Sequence, residues 1–223
     1  MSISTEKPKS PCVRYFEWNG NAEHGGTFKY YDKAQQKEVS VKPPFKFIVL
    51  DELTTIKGFC KADGSFYYSN EVRSTTKDVL SVKTKKGLKA SGVWSDIKGQ
   101  LTGSDFCKSV YVLFMDGSEP KVGNVSIMKS AIAGWFDFCK ATVLSKSWVV
   151  INTALDQKTG SISFKAPKYE SLPASEKEIA QAKALDAQLQ EFLKAYLSAN
   201  NTSTEHDDMS DEERDLKSQS ENI

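Results

Sequence analysis

A chain of 223 residues is long enough to bury one sizeable core, and an aromatic content of 11% speaks against disorder throughout. No run approaches the roughly 18 consecutive apolar residues of a membrane span, and Met1–Pro11 has no apolar signal segment, so a cytoplasmic protein with no membrane role is expected. The net charge of +1 hides an asymmetry: residues 201–223 carry eight carboxylates against two bases, a net −6 that leaves +7 on residues 1–200.

Residues 1–11 are polar, with Pro8 and Pro11, and read as a disordered arm. Residues 12–170 read as the folded body. Within it, short runs of β-branched and aromatic residues alternate with turn signals such as Asn19-Gly20, Asp63-Gly64, Lys86-Gly87, Asp116-Gly117 and Thr159-Gly160. That pattern predicts an antiparallel all-β sandwich or barrel. The expected strands are Arg14–Trp18, Thr27–Tyr31, Glu38–Lys42, Phe45–Cys60, Ser65–Ser69, Val79–Lys85, Gly92–Gly99, Phe106–Met115, Trp148–Leu155 and Ser161–Lys165. The run Phe45–Cys60 is long for one strand and contains Gly58, which predicts a coiled strand bent by a bulge.

One helix interrupts the strands at about 125–141, where Ile127, Met128, Ala131, Ile132, Trp135, Phe136 and Cys139 recur at steps of three and four. It is expected to cap one end of the barrel. Residues 171–200 hold a second helix over Ser175–Ala199, opened by the capping box Ser175-x-x-Glu178 and striped with Ile179, Ala182, Leu185, Leu189, Phe192, Leu193 and Tyr196. That apolar stripe suits packing on the β body or on another subunit, as in a homodimer. Residues 201–223 are too charged to order themselves and read as a disordered acidic tail.

Cys12, Cys60, Cys107 and Cys139 are widely spaced, and no C-x-x-C pair occurs, which predicts reduced thiols and no zinc site. There is no G-x-x-x-x-G-K-[ST], no G-x-G-x-x-G before a helix, no H-x-x-x-H and no G-x-S-x-G. Asp51 with Glu52, or Asp105 with Asp116, read as solvated charges at strand ends. A protein that is not an enzyme, with no cofactor or metal, is expected.

Base stacking and phosphate neutralisation remain. Single-strand binding needs aromatic faces for bases and a basic groove along the backbone. In a strand alternate residues share a face, so Lys57 and Phe59 point one way while Ile56 and Cys60 point the other. Tyr67, Tyr68 and Arg73 follow, then Lys83 and Lys85 opposite Leu80 and Val82, with Lys86 beyond. Trp94 and Lys98 share a parity in the next expected strand. Aromatic rings in β proteins are mostly core or cross-strand pairs, and Lys83–Lys89 can equally be a solvated hairpin tip. Trp18, Trp135 and Trp148 are assigned to the core.

The stretch Phe47-Ile48-Val49-Leu50 leading to Phe59, the segment Lys129-Ser130-Ala131-x-x-Gly134-Trp135, the C-terminal helix and the acidic end together resemble the OB-fold single-stranded DNA-binding proteins of tailed bacteriophages. The resemblance implies a mainly β, OB-fold-like antiparallel barrel with one capping helix. It also implies DNA contacts from Lys57, Phe59, Tyr67, Tyr68, Arg73, Lys83, Lys85, Lys86 and Trp94, with Lys98 beside them. Bacterial relatives end in an aromatic residue, whereas this chain ends Ser220-Glu221-Asn222-Ile223. The expected function is sequence-independent binding of single-stranded DNA in phage-type replication, recombination or repair. Asp207, Asp208, Asp211, Glu212, Glu213 and Asp215 form the tail that competes for the groove and engages replication proteins. The alternatives are a β-rich virion or scaffold protein and a divalent-metal nuclease, and DNA is not distinguished from RNA.

Overall fold

The computed structural model describes residues 9–202. Residues 1–8 and 203–223, with the tail carboxylates from Asp207 to Asp215, lie outside the described residues. Among the described residues eleven strands form: β1 (Arg14–Asn19), β2 (Thr27–Asp32), β3 (Lys37–Ser40), β4 (Phe45–Cys60), β5 (Ser65–Ser69), β6 (Leu80–Thr84), β7 (Gly87–Gly92), β8 (Ser104–Asp116), β9 (Glu119–Met128), β10 (Ser147–Thr159) and β11 (Ile162–Pro173). The helices are α1 (Trp94–Ile97), α2 (Ile132–Ala141) and α3 (Glu176–Thr202).

The strands run β3-β2-β1-β9-β8-β4-β5-β6-β7, and β10 branches from β4 to carry β11. Two corrections follow for the expected closed antiparallel barrel. The pair β1–β9 is parallel, so the sheet is mixed. No hairpin joins these two strands, and a hairpin is what imposes antiparallel pairing. The ladder is also unclosed. Where β11 meets the end of β1, the Lys165 N–H donates to the Gly20 carbonyl at 3.0 Å and Trp18 Nε1–H donates to the Lys165 carbonyl at 2.9 Å.

Alternation along the strands builds the main core. Phe16, Phe28, Phe45, Phe47 and Phe114 are buried with Val110, Val112, Val125 and Ile127. Phe16 meets Phe114 edge-on at 5.0 Å between ring centroids, the arrangement that ring quadrupoles favour. Helix α2 closes one end. Its Trp135 is fully buried and donates Nε1–H to Glu52 Oε2 at 2.8 Å. The helix expected over 125–141 begins only at Ile132. Val125 to Met128 are strand, because Val125 and Ile127 face the core across β8, and Lys129, at φ 51, makes the bend between them.

The long strand β4 runs unbroken over 16 residues, with its bulge between Val49 and Asp51 where the register on β8 shifts. Gly58 has φ 131, and a Cβ there would lie 2.3 Å from the Gly103 carbonyl oxygen, so glycine is required for the close approach of the chain. Beyond this point a second core forms from Ile56, Cys60, Tyr67, Val72, Leu80, Val82, Ile97 and Leu101. The expected strand Gly92–Gly99 is absent: β7 ends at Gly92, and Trp94–Ile97 is a helical turn that buries Ile97.

Helix α3 opens on its capping box: Ser175 N–H donates to Glu178 Oε2 at 2.7 Å, and Glu178 N–H donates to Ser175 Oγ at 3.4 Å. Ala182, Leu189 and Leu193 pack on the outer face of the sheet against Ile48, Leu53, Tyr111, Leu113 and Trp148. The four cysteines are free thiols. Among the described residues, no helix is long and apolar enough to cross a membrane.

Candidate functional site

The end of β4 and the strands β5–β7 form a small sheet whose inner face covers the second core. Register decides which rings face out. Phe59 stands opposite Phe66, Tyr68 opposite Lys83, and Lys83 opposite Leu88. Residues directly opposite on adjacent strands share a face, so Phe59, Phe66, Tyr68, Lys83 and Leu88 form one outward stripe across four strands. Phe59 is 42% exposed and Leu88 58%. Phe59 and Phe66 meet edge-on at 5.2 Å. Tyr68 donates its hydroxyl to the Thr84 carbonyl at 3.4 Å, which steadies its ring on the strand.

The stripe lies in a basic part of the chain. Residues 57–98 hold nine bases against four acids, a net +5. Several of these charges are committed. Lys89 Nζ lies 2.6 Å from Asp63, with Lys86 at 4.0 Å, and the Asp63 carboxyl is held below its ordinary value by Lys89 first and the Thr84 hydroxyl second. This clamp ties the β4–β5 turn to the β6–β7 hairpin. Lys83, beside Tyr68, and Lys85, exposed at the hairpin tip, have no ion pair with any described residue.

The remaining residues expected at the site are distributed differently. Lys57 does share the Phe59 side of β4, but its ammonium turns across the sheet to Ser126 Oγ at 3.0 Å and Glu17 at 3.5 Å. Tyr67 is 4% exposed on the inner face, because it is one residue out of phase with Tyr68. Its hydroxyl donates to the Thr102 carbonyl at 3.3 Å, and contact with Cys60, then burial, push the phenol up to about 12. Trp94 is half-buried on the opposite side of β4, its ring 4.4 Å from Phe106 against the second core, and Lys98 is exposed on the turn after α1. Strand parity does not apply to either residue in a helical turn. Arg73 makes a bidentate pair with Asp51 at 3.1 and 2.9 Å and reaches Gln190 of α3 at 3.2 Å. It therefore fastens the helix to the sheet.

Phe66 and Leu88 belong to the stripe although neither is among the expected contacts. Phe66 was signalled by its parity with Tyr68, and Leu88 by its place opposite Lys83 across the Lys86-Gly87 turn. Among the described residues, no group of three or more His, Cys, Asp or Glu side chains is placed to hold a metal ion. Compared with family models, with curated proteins and with solved structures, the chain has no match.

Proposed function

We propose that the protein binds single-stranded DNA without sequence preference, its β body acting as an OB-type scaffold in phage-type replication, recombination or repair. The observation that carries this reading is the register that lays Phe59, Phe66, Tyr68 and Lys83 on one outward face of a segment with net charge +5. An aromatic ring accepts any base because every base has a π-face, at about 1–3 kcal/mol per stacked base. Lys83 and Lys85, both on the β6 side of the rings, neutralise phosphates and release condensed counterions.

In this reading the acidic tail of residues 201–223 competes for the same lysines and is freed for replication partners when DNA binds. Titration of the full chain with labelled oligo(dT) at several salt concentrations tests the proposal. Binding is expected to fall linearly with salt on a double-logarithmic plot, at about −0.7 per neutralised phosphate, and to persist at moderate salt through stacking. No retention of the oligonucleotide at moderate salt would defeat the reading and favour a scaffold role. Cleavage of DNA on addition of magnesium or manganese would favour a nuclease instead.

A further inference from the structure

The stripe has two ends, and the register shows what stands at each. On one side it stops at Leu88, because β7 is the last strand in the order and no described strand lies beyond it. On the other side the ladder continues from β4 into β8, but the platform of rings does not. The Phe59 N–H donates to the Gly103 carbonyl at 3.1 Å, and a Cβ on Gly103 would lie 2.5 Å from the Phe59 carbonyl oxygen. With φ at 87 as well, position 103 takes glycine, so the chain beside Phe59 has no side chain on which a base could stack. From β4 to β7 there are three inter-strand steps, about 14 Å, and this width holds the rings of Phe59, Phe66 and Tyr68.

Asp105 stands just past the β4 edge. It lies opposite Lys57 on β8, which puts it on the outward face and one diagonal step, about 7–8 Å, from Phe59. The Lys57 ammonium is drawn across the sheet to Ser126 at 3.0 Å and Glu17 at 3.5 Å, whereas Asp105 has no ion pair with any described residue. A phosphate that followed a base on Phe59 toward β8 would meet this carboxylate within about one Debye length, roughly 8–10 Å. Toward β6 it would meet Lys83 and Lys85 instead. Rings and charges therefore favour a strand over β5 and β6 and oppose its passage beyond β4.

Resting on the single-strand reading above, we propose that the stripe is a closed site for about three nucleotides and that Asp105 is the residue that ends it. A longer strand binds as a set of overlapping three-base registers, and it gains no further contact along the sheet.

Titration of the full chain at low salt with oligo(dT) of two, three, six and twelve nucleotides tests this, each affinity being divided by the number of registers. The affinity per register is expected to rise about tenfold from two to three nucleotides, one stacked base, and to stay level beyond. The salt slope should stay at about −1.4 from three nucleotides upward, the value for phosphates on Lys83 and Lys85 alone. Asp105→Lys should strengthen binding of the twelve-nucleotide strand about tenfold and steepen its slope by about 0.7, with the three-nucleotide strand little changed. Asp105→Asn, which keeps the shape of the side chain, should act in the same direction by about threefold and decides the matter if the lysine variant does not fold. An affinity per register that keeps climbing from three to twelve nucleotides would overturn the proposal and leave the stripe in place. Equal strengthening of both strands by the Asp105 variants would do the same. Absence of binding at every length would remove the single-strand reading, and the border with it.

Discussion

Tyr67 and Tyr68 are adjacent in sequence and opposite in circumstance, because a strand sends successive side chains to opposite faces. Tyr67 enters the second core beside Val82 and Leu80, and Tyr68 joins Lys83 outside. Alternation made the Lys57–Phe59 pairing legible from the residues alone, but nothing in the run Phe66-Tyr67-Tyr68 says which ring is sealed until its pairing with β4 is known. Trp94 was illegible for a different reason, since its backbone is helical and parity has no meaning there. The two faces make separate predictions. Phe59→Ala and Phe66→Ala should each weaken oligo(dT) binding by about 1–3 kcal/mol with the fold intact. Tyr67→Phe removes the hydroxyl's bond to the Thr102 carbonyl and its contact with Cys60, so it should lower stability by about 1 kcal/mol and leave affinity unchanged. Fluorescence titration beside thermal unfolding separates these outcomes. A loss of affinity in Tyr67→Phe equal to that in Phe59→Ala would contradict the assignment of faces.

At the level of elements, the clearest signals were local and the failures came from pairing. Helix α3 was readable because both its capping box and its apolar stripe lie within the segment. Strand β9 was hidden because Ile127, Met128, Ala131 and Ile132 fit a helical period as well as the end of a strand, a bend and a helix start. The bulge in β4 was expected from Gly58 and occurs earlier in the strand, between Val49 and Asp51, where it turns Asp51 toward α3. Burial pushes the Asp51 carboxyl up, but Arg73, Gln190 and the Glu52 N–H together hold it below its ordinary value. A depressed folded-state value stabilises fully above the ordinary aspartate value, and that contribution is lost as pH falls from there through the folded one. Asp51→Asn should therefore cost about 1–3 kcal/mol at neutral pH, with the deficit shrinking at about pH 3. Denaturant unfolding at both pH values measures this, and a deficit independent of pH would contradict it.

The molecule as a whole is organised by charge as much as by packing. A sheet that leaves its ladder unclosed still buries one aromatic core, because α2 and the β1–β11 seam cover the openings that hydrogen bonding leaves. The opposition between a body of +7 and an end of −6 was fully legible in the sequence, since it depends on composition alone. What could not be read was which lysines are spent internally, because Asp63 and Glu17 reach Lys89 and Lys57 only through the fold. If the acidic end competes for the stripe, removing residues 203–223 should tighten oligo(dT) binding several-fold at low salt and change little at high salt, where screening already weakens the competition. Equal affinities of the full and shortened chains at low salt would remove that role.

The central claim is that DNA lies on the outward stripe, and photochemical crosslinking of a bromodeoxyuridine oligonucleotide to the full chain, mapped by mass spectrometry, addresses it most directly. The account predicts adducts at Phe59, Phe66 or Tyr68, lost when excess unlabelled oligo(dT) is present. Adducts confined to α3 or to β2–β3, with these three rings unmodified, would contradict it.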